Sequence, residues 1–105
     1  MHVNSLNAYY EQIKNFNNKE KLIYGHISMS STPLTDREVK DEVYTISHDM
    51  NAVRPRISDL IKKGWLVEVH KVKDRVTGKN VRTVRAVSPE ERYKLQTQAV
   101  QQSLL

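Results

Sequence analysis

Pro55 and Gly64 bracket an apolar pattern, Val53, Ile57, Leu60 and Ile61, that recurs at three- and four-residue spacing. Proline is tolerated in a helix only in the first turn, where the N–H groups have no intrahelical partners. Glycine just past the last apolar position supplies the left-handed residue that ends a helix. The spacing therefore predicts a short helix over 51–63, capped by Asn51 and stopped at Gly64. A strand follows at once. Trp65–Val72 and Val81–Val87 are both rich in β-favouring residues, and the stretch between them, 74–80, is turn-prone. Two such runs read as an antiparallel hairpin.

The rest of the chain reads as helix. Thr35-Asp36-Arg37-Glu38 is a capping box: the Thr35 hydroxyl accepts from the Glu38 N–H while the Glu38 carboxylate reaches back to Thr35. It opens a helix over about 36–44 with Val39, Val43 and Tyr44 as its buried stripe, and 45–50 breaks the period. Upstream, Leu6, Tyr9, Tyr10, Ile13 and Phe16 mark a helix over 5–16. Asn17 with Glu20 signals a fresh start, and Leu22, Ile23 and Ile27 give a helix over about 18–30, either separate or the second arm of one kinked helix. Ser30–Pro33 is a loop. Ser88-Pro89-Glu90-Glu91 repeats the capping signature and opens a last helix over 89–102, with Tyr93, Ala99, Val100 and Leu104 as its sparse apolar face. There is no internal repeat and no low-complexity linker, so the chain reads as a single mainly α domain (α+β) over 1–105.

Charge is unevenly placed. Residues 51–86 carry ten Lys/Arg and three acids, a local net charge of +7, against −2 for residues 1–50 and zero for 87–105. A basic segment in an otherwise near-neutral chain is the footprint of a polyanion site. The absence of cysteine excludes disulfides and thiolate metal sites and fits a reducing cytoplasm. No apolar run approaches the roughly 18 residues that span a bilayer, and the first residues lack the pattern of a secretory signal. The four histidines, His2, His26, His48 and His70, are too dispersed for a metal site, and no cofactor motif or catalytic arrangement stands out. A binding protein without cofactor or metal, and not an enzyme, is expected.

Leu34-Thr35-Asp36-Arg37-Glu38-Val39, then Asn51 to Leu66 with its Leu60-x-x-x-Gly64-Trp65 ending, then Val76-Thr77-Gly78-Lys79 with Val81-Arg82 behind it, resembles the winged helix-turn-helix proteins of phages and bacteria. The resemblance covers 19–87 at most and centres on Thr35–Ala86. It implies a winged-helix core flanked by helices at 5–16 and 89–102. It also implies a double-stranded DNA-binding transcriptional regulator in the cytoplasm of a bacterial or phage-infected cell. In such a fold, helix 51–63 enters the major groove and the hairpin wing follows the backbone or minor groove.

On a wheel of about 100° per residue, Asn51, Pro55, Ser58 and Lys62 lie opposite the core stripe, with Arg54 and Arg56 on the two flanks. Arg54 and Arg56 suit guanine O6/N7 or, equally, phosphates, and Asn51 suits adenine N6/N7. Lys73, Arg75, Lys79 and Arg82 on the basic hairpin, 71–85, suit phosphates, with Arg75 and Lys79 nearest its tip. Asp59 is the exception on this surface. It either accepts from a cytosine amino group or pairs with Lys62 and Lys63; the pairing is the commoner arrangement on helices, and it leaves the first two turns to read. Trp65 is expected to cap the core beneath the helix rather than to stack on bases.

Two alternatives remain at this point. A winged helix can also bind an acidic surface of a host or replication protein. The two flanking helices, outside a core that 19–87 would complete, bury their apolar faces either on each other or across a homodimer.

Overall fold

The computed structural model describes residues 6–44 and 50–103, with side chains to residue 98. Its described helices are α1 (Leu6–Lys14), α2 (Asn18–Ser28), α3 (Asp36–Val43), α4 (Arg54–Lys62) and α5 (Pro89–Ser103). Three antiparallel strands, β1 (Leu34–Thr35), β2 (Leu66–Lys73) and β3 (Asn80–Ala86), form one sheet in the order β1-β3-β2. The fold is α+β.

Local chemistry sets most boundaries. α1 and α2 are separate helices because Asn17 caps α2: its Oδ1 accepts from the Glu20 N–H at 2.8 Å, and Glu20 Oε1 accepts from the Asn17 N–H at 3.1 Å. The box at Thr35 closes the same way, at 3.1 and 2.9 Å. Before it, Leu34 and Thr35 make a two-residue strand that the sequence does not predict, pairing Leu34 with Val84 and Thr35 with Thr83. Two residues carry no periodicity, so only the partner strand defines β1. Residues 45–49 of the expected break at 45–50, like His2, His48 and Leu104, lie outside the described residues, and Met50 belongs to a 3-10 turn.

α4 starts later than predicted, and Asn51 does not cap it. Asn51 sits in a 3-10 turn, Met50–Ala52, and the N-cap position falls on Val53, which makes no side-chain cap bond. Pro55 explains the substitution: at the second helical position it removes one of the N–H groups a cap would satisfy. An apolar residue can therefore occupy the cap, and Val53 is fully buried in the core. The helix ends as predicted. Gly64 has φ +85°, its N–H bonds the Ile61 carbonyl at 3.0 Å, and the Trp65 N–H bonds the Leu60 carbonyl at 2.9 Å.

The core gathers Ile23, Val39, Val53, Ile57, Leu60 and Val84, all sealed from solvent, and ends on Trp65. The indole meets Tyr9, Phe16 and Tyr24 edge-to-face, with centroids 5.7 to 6.2 Å apart. Trp65 is thus the expected core cap and offers no face to a base. Because Tyr9 and Phe16 belong to this cluster, the core is not complete within 19–87; α1 is part of it. α1 and α5 pack on each other within the chain. Tyr9 Oη donates to Gln96, Tyr10 Oη donates to Glu90, and Arg92 Nη1 donates to Gln12 at 3.3 Å. At the start of α5, Ser88 Oγ accepts from the Glu91 N–H at 3.0 Å, but the other half of that box does not form. The Glu91 carboxylate instead takes both Arg85 donors, at 3.0 and 3.1 Å.

Candidate nucleic-acid interface

β2 and β3 leave the core as a hairpin whose tip, 74–79, is built around Asp74. The Gly78 N–H bonds the Asp74 carbonyl at 2.8 Å, and Asp74 Oδ2 accepts from the Thr77 N–H and hydroxyl, each at 3.0 Å. Gly78 takes φ +72°, which closes the turn. One irregularity interrupts the ladder between Glu68 and Lys71. There the Thr83 hydroxyl stands in for backbone, accepting from the His70 N–H at 3.2 Å and donating to the His70 carbonyl at 2.7 Å.

The hairpin does not stand free. Three arginine–aspartate pairs join it to α3. Arg82 on β3 forks onto Asp36 at 2.9 and 3.2 Å, Arg37 donates through Nε to Asp74 at 2.8 Å, and Arg75 pairs with Asp41. Arg82 also donates to Ser58 Oγ on α4 at 3.1 Å. The Arg37 guanidinium beside Asp74, opposed in part by burial and aided by the Thr77 bonds, holds that carboxyl down at about 2. Asp41 is lowered as well, first by the Lys40 ammonium at 2.7 Å and then by Arg75.

These contacts redistribute the charge that the sequence segregates. Of the ten cations in 51–86, Lys63, Arg75, Arg82 and Arg85 pair with acids outside that segment: Glu20, Asp41, Asp36 and Glu91. Arg54, Arg56, Lys62, Lys71, Lys73 and Lys79 form no ion pair among the described residues. The folded surface is less basic than the linear segment because α3, which carries four acids and two bases, lies against the hairpin.

The sequence-predicted residues divide accordingly. Arg54 and Lys79 are exposed and line one cleft of about 450 Å³ between the start of α4 and the hairpin tip. Ser58 also lines it, but its hydroxyl is engaged by Arg82, which is turned inward and only 22% exposed. Lys62 and Lys73 are exposed outside that cleft. Arg56 is half-buried on the opposite flank of α4, where its charge helps keep the Glu20 carboxyl low. Burial pushes that carboxyl up, but Lys63 Nζ at 2.7 Å and the Asn17 N–H outweigh it. Asn51 is exposed ahead of the helix rather than on it. Arg75 is 71% exposed yet paired.

The expected pairing of Asp59 with Lys62 and Lys63 does not form. Lys63 crosses to Glu20 on α2, and Asp59 makes no ion pair among the described residues. The buried carboxylate of Glu20, 7% exposed, is the more demanding partner because it has no water to turn to.

Sequence reasoning missed Asp36, Arg37 and Asp74. Asp36 was legible only as a favourable charge at a helix start, since its partner lies 46 residues away. Asp74 did carry a signal: an aspartate three residues before Thr77 and four before a glycine is a turn-capping pattern. No group of three or more metal-binding side chains occurs among the described residues; His26 meets Glu42, at 2.6 Å. No helix of the described residues is long and apolar enough to cross a membrane. Comparison with known proteins finds no matching family model and no significantly similar curated protein.

Proposed function

We propose that the chain is a winged helix-turn-helix that binds double-stranded DNA, with α3 and α4 as the two motif helices and β2–β3 as the wing. The observation that carries the reading is the pair Arg54 and Lys79. They line one cleft from two different elements, the start of α4 and the hairpin tip, and form no ion pair among the described residues. A phosphodiester strand brings negative charge to such a cleft, and each neutralised phosphate releases counterions. The order α2-β1-α3-α4-β2-β3 supports the fold half of the proposal, because it puts a short capped helix, a second helix and a hairpin in sequence.

In this reading the duplex meets Arg54 and Lys62 on α4 and Lys73 and Lys79 on the wing, with Arg75 as an exposed but partly neutralised contributor. A role in transcription regulation in a bacterial or phage context rests on the resemblance alone and is part of the proposal. A homodimer would now rest on what α1 leaves uncovered on α5, chiefly the exposed Tyr93 and Leu95, and sedimentation reads it directly.

Fluorescence anisotropy with a random duplex tests the proposal. Wild type is expected to bind at micromolar protein and to weaken steeply as salt rises. Neutralising Arg54 and Lys79 together is expected to reduce the slope of log affinity against log salt by about 2, one phosphate for each cation. Absence of salt-sensitive binding would sink the reading. The same cations binding only an acidic protein surface would then be the reading left.

A further inference from the structure

Arg82 and Asp36 make an arrangement that neither a surface ion pair nor a DNA contact needs. Asp36 is the first residue of α3, Ser58 lies within α4, and Arg82 lies in the middle of β3. One guanidinium joins all three. Its Nη2 reaches Asp36 Oδ2 at 2.9 Å and Ser58 Oγ at 3.1 Å, its Nε reaches Asp36 Oδ1 at 3.2 Å, and Nη2 also approaches the Arg54 carbonyl at 3.5 Å. The pair is largely withdrawn from water, at 22% and 11% side-chain exposure. Only a planar fork of fixed geometry serves two carboxylate oxygens and a hydroxyl at once.

We infer that Asp36 and Arg82 are positioning residues for duplex binding: together with Ser58 they fix the angle between the wing and α4. The inference rests on the reading of the cleft as a duplex seat. A strand held between Arg54 and Lys79 sees two walls on different elements. Arg82 lines the same cleft and joins β3 to α3 and α4 there. Sequence preference requires base-reading groups to be held to within a fraction of an ångström, whereas non-specific phosphate binding tolerates a loose wing. Asp36 would thus raise preference although its own charge repels DNA.

That conflict of signs provides the test. Binding of wild type, Asp36→Asn, Arg82→Lys and Ser58→Ala is measured against a duplex selected from a random pool and against a random duplex. All measurements are made below each variant's melting temperature, as read by circular dichroism. Charge alone predicts that Asp36→Asn binds both duplexes more tightly and that Arg82→Lys changes neither. Positioning predicts that the ratio of selected to random affinity falls about tenfold in both, with a smaller fall in Ser58→Ala. Loss of stability alone does not move that ratio in protein that is folded. An unchanged ratio in Arg82→Lys overturns the inference.

A second measurement does not depend on DNA. The chain has no cysteine, so Lys62→Cys and Val76→Cys, both at exposed positions, give a clean pair of spin-label sites on α4 and the hairpin tip. The distance distribution is expected to broaden when Arg82→Lys is added, and an unchanged distribution overturns the inference. If wild type binds no duplex at all, the proposed function fails while this measurement still decides whether the fork sets the geometry.

Discussion

Trp65 and Asp74 are both nearly sealed from solvent, at 1% and 6% exposure, yet they are held by opposite means. Around Trp65 the contacts are rings: Tyr9, Phe16 and Tyr24 meet the indole by their edges, and the Arg92 guanidinium lies 4.6 Å from its centroid. Around Asp74 the contacts are charges and donors: Arg37, the Thr77 N–H and hydroxyl, and beyond them the Asp41 and Asp36 pairs. Apolar burial is non-directional and has no titrating group to lose, whereas paired carboxylates lose their role once protonated. The aromatic end makes the domain stable. The ionic end places the hairpin, and it does so with groups that pH and mutation can reach.

Removing the indole breaks this comparison most severely. Trp65→Ala is expected to cost about 3–5 kcal/mol, as deletion of a fully packed aromatic does, which approaches the whole stability of a small domain. Urea denaturation measures it, and a cost under about 1 kcal/mol would show that the ring cluster is not what holds α1 to the core. Next comes Gly64→Ala. The added Cβ would stand 3.2 Å from Arg92 Nη2, and φ +85° is strained for any L side chain. The expected cost is about 1–2 kcal/mol from the left-handed backbone. Thermal melts read it, and an unchanged midpoint would contradict the strain.

A pH series sharpens the ionic side. The Asp74 carboxyl sits at about 2 when folded, against 3.8 for the free group. A depressed folded value means that its contribution is full above about pH 4 and disappears as pH falls through the folded value. The stability gap between wild type and Asp74→Asn is therefore expected to be constant from pH 7 to 5 and to close between pH 4 and 2. Melting curves across that range check it; a gap undiminished at pH 2 would mean the carboxylate's charge is not its role. The smallest effect is expected at the rim. Arg75 is 71% exposed, so its pair with Asp41 is screened by solvent, and Arg75→Gln, which leaves Asp41 paired with the buried Lys40, should leave the melting temperature unchanged within error at physiological salt. A clear drop would show that all three arginine–aspartate pairs act as a unit.

Much of the fold was legible from short-range chemistry. The boxes at Asn17 and Thr35, Pro55 in the first turn of α4, Gly64 at its end and the two β-favouring runs each act within a few residues, and each reappears where the spacing put it. The candidate site was legible in composition and much less so in arrangement. Arg54 and Lys79 lie on one cleft, but Asn51 sits ahead of the helix and Arg82 turns inward. Asp59 lost its expected partners because Lys63 had a buried carboxylate to satisfy.

By itself the sequence determined where most helices begin and end, the start of α4 excepted, because caps, prolines and glycines act through backbone groups at most four residues away. It also determined that residues 51–86 carry an excess of positive charge. Only the tertiary structure decided how much of that charge remains available. Arg82 and Asp36 are 46 residues apart, Arg37 and Asp74 are 37, and Arg75 and Asp41 are 34. Coulomb and hydrogen-bond energies depend on distance in space, to which separation along the chain is no guide, so the pairing waited on the packing of α3 against the hairpin. The helix framed by Pro55 and Gly64 was therefore visible from the start, whereas the set of cations free to meet a polyanion was not.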